Sequence, residues 1–280
     1  MGPEWQKTGK NANAPIMATN MRTYLINLAR RPDRLAAMLR QAGSLGLDLD
    51  RVAAVDARTA EPATIDCWFE SGGPLGEIPE GDKACLLSHR QAWEMFLRTD
   101  DRHAVFLEDD VRLSPDAASL LADGGWIPAD AAVVKLEHYG PAGQRVLLTG
   151  MRAVAGGFQL GRMLSRHTGA AAYILSRPAA EILLRQTRFD LPVDHLLFNP
   201  NNSGLFAQLS PWQLVPAIAR QEEFVGEKSD IEGTRLGLRS FGLTYAKREL
   251  VRFGYDMKLL PRQVIALLRG AKFVAIRTAD

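Results

Sequence analysis

The sequence predicts an α/β fold, a mainly parallel twisted sheet with helices on both faces. Three observations predict it. Short apolar runs rich in strand formers alternate with segments of helical period. The first strand, helix and strand follow one another at the spacing of a βαβ unit. The strand-like runs end in polar and charged residues, where open α/β sheets bind their ligands.

The elements follow in order. Thr23 to Leu28 reads as a strand, and Arg31 to Arg40 as a helix with Pro32 at its start and Gly43 as its stop. Leu49 to Val55 is the second strand. Thr59 to Glu80 carries Pro62, Pro74 and Pro79 and reads as a loop with one short helix near Trp68. A helix follows from Gly81 or Asp82 to about Arg98, with Cys85, Leu86, Ala92, Trp93, Phe96 and Leu97 on its apolar stripe. His103 to Leu107 is a strand, Ser114-Pro115-Asp116 starts a helix, and Ala131 to Leu136 is a strand. Gly169 to Leu175 is another, with Ser176-Arg177-Pro178 capping the next helix. Leu191 to Phe198 reads as a short helix or turn, and Leu205 to Val215 as one or two short strands.

Composition narrows the class. The chain has 280 residues, of which 46% are hydrophobic and 24% charged, as in ordinary globular proteins. Cys67 and Cys85 are too few for a disulfide scaffold or a four-thiolate zinc site. No apolar run approaches the ~18–20 residues of a membrane span. Residues 1–20 are polar without an apolar targeting stretch. They are expected to be a disordered leader or to lie upstream of a true start at Met17 or Met21, and the cytoplasm is the expected compartment. The net charge of +2 hides an asymmetry: residues 233–280 carry ten Lys/Arg against three acids. That basic segment is expected to be an amphipathic helical extension beginning at 227, either docking on an anionic partner or packing as short helices against the preceding domain.

The strongest chemical signal is Val105-Phe-Leu-Glu-Asp-Asp-Val111, an apolar strand closed by three acids. An extended chain alternates its faces, so Glu108 and Asp110 are expected to share one and Asp109 to take the other. Such oxygen ligands suit Mg²⁺ or Mn²⁺; the competing reading is a solvated acidic turn before a helix. His89 and Ser88 either reach a ligand beneath the sheet or serve the core. Lys83, in a first helical turn, either meets an anion or is solvated. Arg30, Arg31 and Arg34, in the turn after the first strand, suit phosphate by their fork geometry; the competing reading is a solvated helix start whose dipole Asp33 complements. Glu137, His138 and Asp194 are each a candidate base or metal ligand, or an ordinary polar loop residue. No G-x-G-x-x-G, P-loop or G-x-S-x-G motif is present.

Taken together the motifs resemble glycosyltransferase family 25, the lipopolysaccharide and lipooligosaccharide galactosyltransferases and their relatives. The matching pieces run from Tyr24-Leu-Ile-Asn-Leu-Ala-Arg-Arg-Pro-Asp-Arg-Leu35 through Lys83-Ala-Cys-Leu-Leu-Ser-His89 with Trp93 to Phe106-Leu-Glu-Asp-Asp-Val111. Val134-Lys-Leu-Glu137, His167-Thr-Gly-Ala-Ala-Ala-Tyr-Ile-Leu-Ser176 and Pro192-Val-Asp194 follow in the same order. The resemblance covers about Arg22 to Phe224. It implies a GT-A-like catalytic domain over 21–226, a UDP-sugar donor (galactose first), Mn²⁺ or Mg²⁺, and inversion at the anomeric carbon. The metal ligands it implies are Asp110 and Glu108. The donor-binding residues are Asn27, Arg31, Arg34, Lys83, Ser88, His89, Glu108 and Asp109. Asp194 is the first choice for the base and Glu137 the second. The implied acceptor is an oligosaccharide or glycolipid. With it goes peripheral contact of the basic tail with the cytoplasmic face of the inner membrane, and no nucleic-acid partner. The rival readings are a glycoside hydrolase with two flanking carboxylates and an inactive scaffold of the same shape.

Overall fold

The computed structural model describes residues 21–141, 143–221 and 259–279. The leader at 1–20 and the first part of the basic tail lie outside them. Strand β1 (Thr23–Asn27) leads into α1 (Pro32–Leu45) and β2 (Leu49–Ala53). Then come α2 (Pro62–Asp66), α3 (Glu80–Leu97), β3 (His103–Glu108) and β4 (Val111–Leu113). Helix α4 (Ala117–Ala122) precedes β5 (Val133–Lys135) and β6 (Glu137–His138). A hairpin of β7 (Arg145–Ala153) and β8 (Gln159–Met163) precedes β9 (Ala172–Ser176) and α5 (Arg177–Leu184). Last are α6 (Val193–Phe198), α7 (Phe206–Leu209), β10 (Trp212–Val215), β11 (Ala219–Gln221) and β12 (Lys272–Ala275).

Nine strands form the central sheet in the order β12-β7-β8-β10-β5-β9-β3-β1-β2. The β2, β1, β3, β5, β10 and β7 strands run one way, and β9, β8 and β12 the other. A small second sheet joins β4, β11 and β6. The expected α/β architecture is present, with the antiparallel strands gathered from β9 onward.

Alternation along each strand feeds two cores. Tyr24, Ile26, Phe106, Tyr173 and Leu175 pack on one face with Trp93 and Phe96 of α3 and Phe198 of α6. Leu25, Val105, Leu107 and Ile174 pack on the other with Met38 of α1 and Leu120 and Leu121 of α4. Each such side chain contributes about 1.5–3 kcal/mol by leaving water. Across the parallel β1–β3 pair and the antiparallel β3–β9 pair, Tyr24, Phe106 and Tyr173 sit in register and stack at 5.4 and 5.2 Å.

Several local expectations are corrected. Helix α1 runs past Gly43 and stops at Gly46, whose φ of 66° takes the left-handed cap. Part of 205–215 is the helix α7 rather than strand. The hairpin at 145–163 and the strands β4, β6, β11 and β12 were not expected. In the basic tail, 259–268 is helical, but β12 pairs antiparallel with β7 and Ala217 bridges Thr278. Ala271 and Ile276 are buried, so the end of the chain completes the central sheet.

Candidate functional site

The turns after β1, β2 and β3 meet around a cavity of about 320 Å³. Its walls include Leu28, Val55 and Ala57, the arginines Arg30, Arg34 and Arg58, and the acids Glu108, Asp109 and Asp110. It lies at the carboxyl ends of parallel strands, where such sheets bind ligands. A second cleft, of about 670 Å³, shares Asp109 and Asp110 and is bounded by Gln41, Ser44, Arg112, Ser114 and Arg220.

Strand β3 ends at Glu108, and Asp109 and Asp110 form the turn into β4. The strict alternation expected of the three acids therefore breaks after the first. Arg34 Nη1 donates to Asp109 Oδ1 at 3.1 Å and to Asp110 Oδ2 at 3.5 Å. Asn27 Nδ2 donates to Asp109 Oδ2 at 2.7 Å. Glu108 faces helix α3 instead, where His89 Nε2 lies 3.1 Å from its Oε1.

Asp110 Oδ1 is buried without a hydrogen-bond partner. Burial first, then the charge of Glu108, pushes the Asp110 carboxyl up to about 7, against the opposing pull of Arg34. A buried, unpartnered carboxylate oxygen is a hard donor of the kind Mn²⁺ and Mg²⁺ take, but the convergent group of three candidate ligands among the described residues is Cys85, His89 and Glu108, without Asp110.

His89 is fully buried at the centre of α3. Trp93 Nε1 donates to the Tyr173 hydroxyl at 2.8 Å, and that hydroxyl lies 2.9 Å from His89 Nδ1. A carboxylate only accepts and an indole N–H only donates. The satisfied arrangement runs one way: Trp93 to Tyr173, Tyr173 to His89 Nδ1, and His89 Nε2–H to Glu108. Sequence reasoning missed Tyr173, because only the packing of α3 on β9 brings it to His89.

Of the expected donor contacts, Arg34, Ser88, Glu108 and Asp109 line the cavity with Asp110. Ser88 Oγ accepts from Val55 N at 2.9 Å and donates to Ala84 O, fixing the turn after β2. Asn27, Arg31, Lys83 and His89 are not among its walls. Asn27 is held by Asp109, Arg31 O and Arg51. Arg31 pairs with Asp33 at 2.8 Å, and Lys83 pairs with Asp66 at 2.5 Å and covers the Phe69 ring. Arg30, expected with its neighbours to suit phosphate, lines the cavity and pairs with Asp56 at 2.7 Å; Arg58 was not singled out, yet it lines the cavity too.

The two candidate bases differ in setting. Glu137 is fully buried; its Oε1 accepts from Lys135 Nζ at 2.7 Å and Ala171 N at 2.9 Å. Lys135 also donates to Gly169 O and lies over the Phe198 ring. Burial pushes the Glu137 carboxyl up and the Lys135 ammonium down, while each opposes this in the other. Asp194 opens α6 and is half-buried; its oxygens accept from His195 N at 2.8 Å and Gly169 N at 3.4 Å.

Comparison with known proteins follows the same lines. The profile of "Glycosyltransferase family 25 (LPS biosynthesis protein)" matches residues 20–197. A glycosyltransferase 25 family member of Anopheles gambiae is 27% identical over 247 residues, covering 77% of this chain and 39% of that protein. The lacto-N-neotetraose biosynthesis glycosyltransferase LgtB of Neisseria gonorrhoeae is 30% identical over 220 residues, 72% of this chain and 75% of its own. The lipooligosaccharide biosynthesis protein lic2B of Haemophilus influenzae is 27% identical over 159 residues, 52% of this chain and 56% of its own. A solved glycosyltransferase involved in glycosylation of the major capsid of PBCV-1 aligns over 77% of this chain and 98% of its own. Its TM-score of 0.32 and identity of 12% are too low to carry an argument. The chain thus spans well under half the length of the Anopheles relative and three quarters of the Neisseria one. On the family profile, and on the Neisseria relative that matches along most of its length, the chain belongs to glycosyltransferase family 25.

Proposed function

We propose that this chain is a metal-dependent, inverting hexosyltransferase. It moves galactose, in the first instance, from a UDP-sugar to an oligosaccharide or glycolipid acceptor of the lipopolysaccharide type. The observation that carries this reading is the cavity at the ends of β1, β2 and β3. Three arginines stand on its walls, and Asp110 presents a buried, unpartnered oxygen beside it.

Arg30, Arg34 and Arg58 supply the positive charge that a diphosphate needs. Leu28, Val55 and Ala57 offer apolar surface for the base and ribose. Asp109, held from both sides by Asn27 and Arg34, keeps a fixed orientation toward the donor. A cation held by Asp110, with Glu108 as second protein ligand, would neutralise the charge that develops on the leaving UDP. Asp194 takes the proton from the attacking acceptor hydroxyl as the new bond forms. Buried Glu137, already paired with Lys135, supports the fold beneath the site. The scheme uses neither Arg31 nor Lys83, because neither lines the cavity.

Among the described residues no helix is long and apolar enough to cross a membrane. Leu260, Val264, Ile265 and Leu268 are exposed on the helical stretch 259–268, beside Arg262 and Arg269. That pattern supports peripheral docking on an anionic membrane surface. Loss of liposome flotation in Leu260→Ser/Leu268→Ser would support docking; unchanged flotation would contradict it.

The transfer reading is tested by incubating the protein and Mn²⁺ with UDP-galactose, UDP-glucose or UDP-N-acetylglucosamine and oligosaccharide acceptors. UDP release with a β-linked product from the α-linked donor is expected. Cleavage of an aryl glycoside without any nucleotide would favour the hydrolase instead.

A further inference from the structure

Cys85 and His89 stand four residues apart on α3, one helical turn, so both side chains point to the same side. Glu108 meets them from the end of β3. Cys85 Sγ lies 3.7 Å from Glu108 Oε1, His89 Nε2 lies 3.1 Å from the same oxygen, and the three donor atoms all fall within 4.8 Å of one another. Four-coordinate zinc with one sulfur, one imidazole nitrogen and one carboxylate oxygen needs ligand atoms about 3.3–3.8 Å apart, given metal–ligand bonds of about 2.0–2.3 Å. Two of the three spacings are already close to that range, and a small rotation of the Cys85 side chain serves the third.

We propose that Cys85, His89 and Glu108 form a second metal site, selective for thiophilic divalent cations of the Zn²⁺ class and distinct from the all-oxygen site at Asp110. A thiolate and an imidazole favour Zn²⁺ over Mn²⁺ or Mg²⁺. Cys85 and Glu108 both line the cavity, which supplies an entry path and leaves the fourth position to water or a ligand. His89 Nδ1 already faces the Tyr173 hydroxyl at 2.9 Å. With the metal on Nε2, the imidazole proton moves to Nδ1 and is donated to the Tyr173 oxygen, whose own O–H turns away from His89; that bond holds the ring in place from outside the metal. Burial first, then the charges of Glu108, Asp82 and Asp194, push the Cys85 thiol up, and the same carboxylates attract a cation. Binding breaks the Cys85 S–H bond, forms the S–metal bond and releases that one proton to solvent.

The consequence rests on the function proposed above. Glu108 cannot serve both sites, so a thiophilic cation held by Cys85 and His89 withdraws it from the donor cavity. Zn²⁺ should therefore inhibit, competing with UDP and Mn²⁺.

The test uses the full chain, stripped of metal, and Co²⁺ as a spectroscopic substitute for Zn²⁺. A thiolate-to-cobalt charge-transfer band is expected, reversed by one equivalent of Zn²⁺. The band should vanish in Cys85→Ser and persist in Cys67→Ser, since Cys67 is the exposed second thiol. Glu108→Gln should keep the band but weaken Co²⁺ binding by about 10–100-fold or more. No band in the native chain, a band that survives in Cys85→Ser, or one lost in Cys67→Ser would each overturn the site. In a second arm, Zn²⁺ should raise the apparent Kd for UDP with Mn²⁺ in the native chain. A chain that gives the cobalt band but binds no UDP would refute the transferase reading and leave the metal site standing.

Discussion

His89 Nε2 donates to Glu108 Oε1 across 3.1 Å, and this one bond ties the first acid of the site to the buried face of α3. Behind it stand Tyr173 and Trp93, each fully buried. His89, Tyr173 and Trp93 thus hold Glu108 from behind the cavity, with Cys85 on its wall. Replacing Tyr173 by Phe removes the acceptor of the Trp93 N–H and the donor to His89 at once. We expect Tyr173→Phe to lose about 1–3 kcal/mol in urea unfolding, the cost of stranded buried polar groups. A loss under about 0.5 kcal/mol would show that the relay does not hold as drawn.

Lys135 and Glu137 form an ion pair with neither side chain exposed. Lys135→Met leaves the Glu137 carboxyl buried without its counter-charge and should cost about 3–5 kcal/mol. The double variant Lys135→Met/Glu137→Leu should recover much of that loss. Equal stability of the single variant and the parent in denaturant titration would contradict the buried pairing.

His167 is buried, its Nδ1 donating to Gln213 Oε1 at 2.8 Å. Burial holds its imidazole down to about 3, with the charge of Lys135 acting in the same direction. The unfolded chain protonates this group near 6.5. Between about 6.5 and 3 the unfolded state therefore binds the extra proton, and stability falls as pH falls, by up to about 1.4 kcal/mol per pH unit. Above about 6.5 the group adds no slope. His103, also held down by burial, acts in the same sense. His167→Gln should flatten the acid limb of a stability–pH curve; an unchanged limb would mean that His167 is not held neutral.

Asp194→Asn should keep UDP binding while turnover falls by about 10²–10⁴-fold, the usual weight of a general base. Lost UDP binding would make Asp194 a donor contact instead. Normal turnover would move the base elsewhere.

The local half of this structure was legible because its signals are local. Pro32 starts α1, and Ser176 caps α5 by accepting from Ala179 N. The apolar stripe of α3 gave its buried face, and the three acids marked the end of β3. The strands β7 and β8 were not legible: Gly150, Met151 and Arg152 interrupt the alternation in β7, and a bulge falls between Thr149 and Arg152. Helix α1 passed Gly43 because that glycine keeps ordinary helical backbone, whereas Gly46 carries the positive φ. In the site, the partners of Lys83 and Arg30 were not legible. Asp66 lies 17 residues from Lys83 and Asp56 lies 26 from Arg30, and such pairings appear only once the chain has folded.

The central claim is that the acids after β3 and the arginines around them hold a nucleoside diphosphate together with a divalent cation. Isothermal titration of the full chain with UDP, in Mn²⁺ and in chelator, tests it most directly. The account predicts binding in Mn²⁺, none measurable in chelator, and loss of the Mn²⁺-dependent binding in Asp110→Asn. Equal binding in chelator, or an Asp110→Asn chain that binds UDP and Mn²⁺ as the parent does, would contradict it.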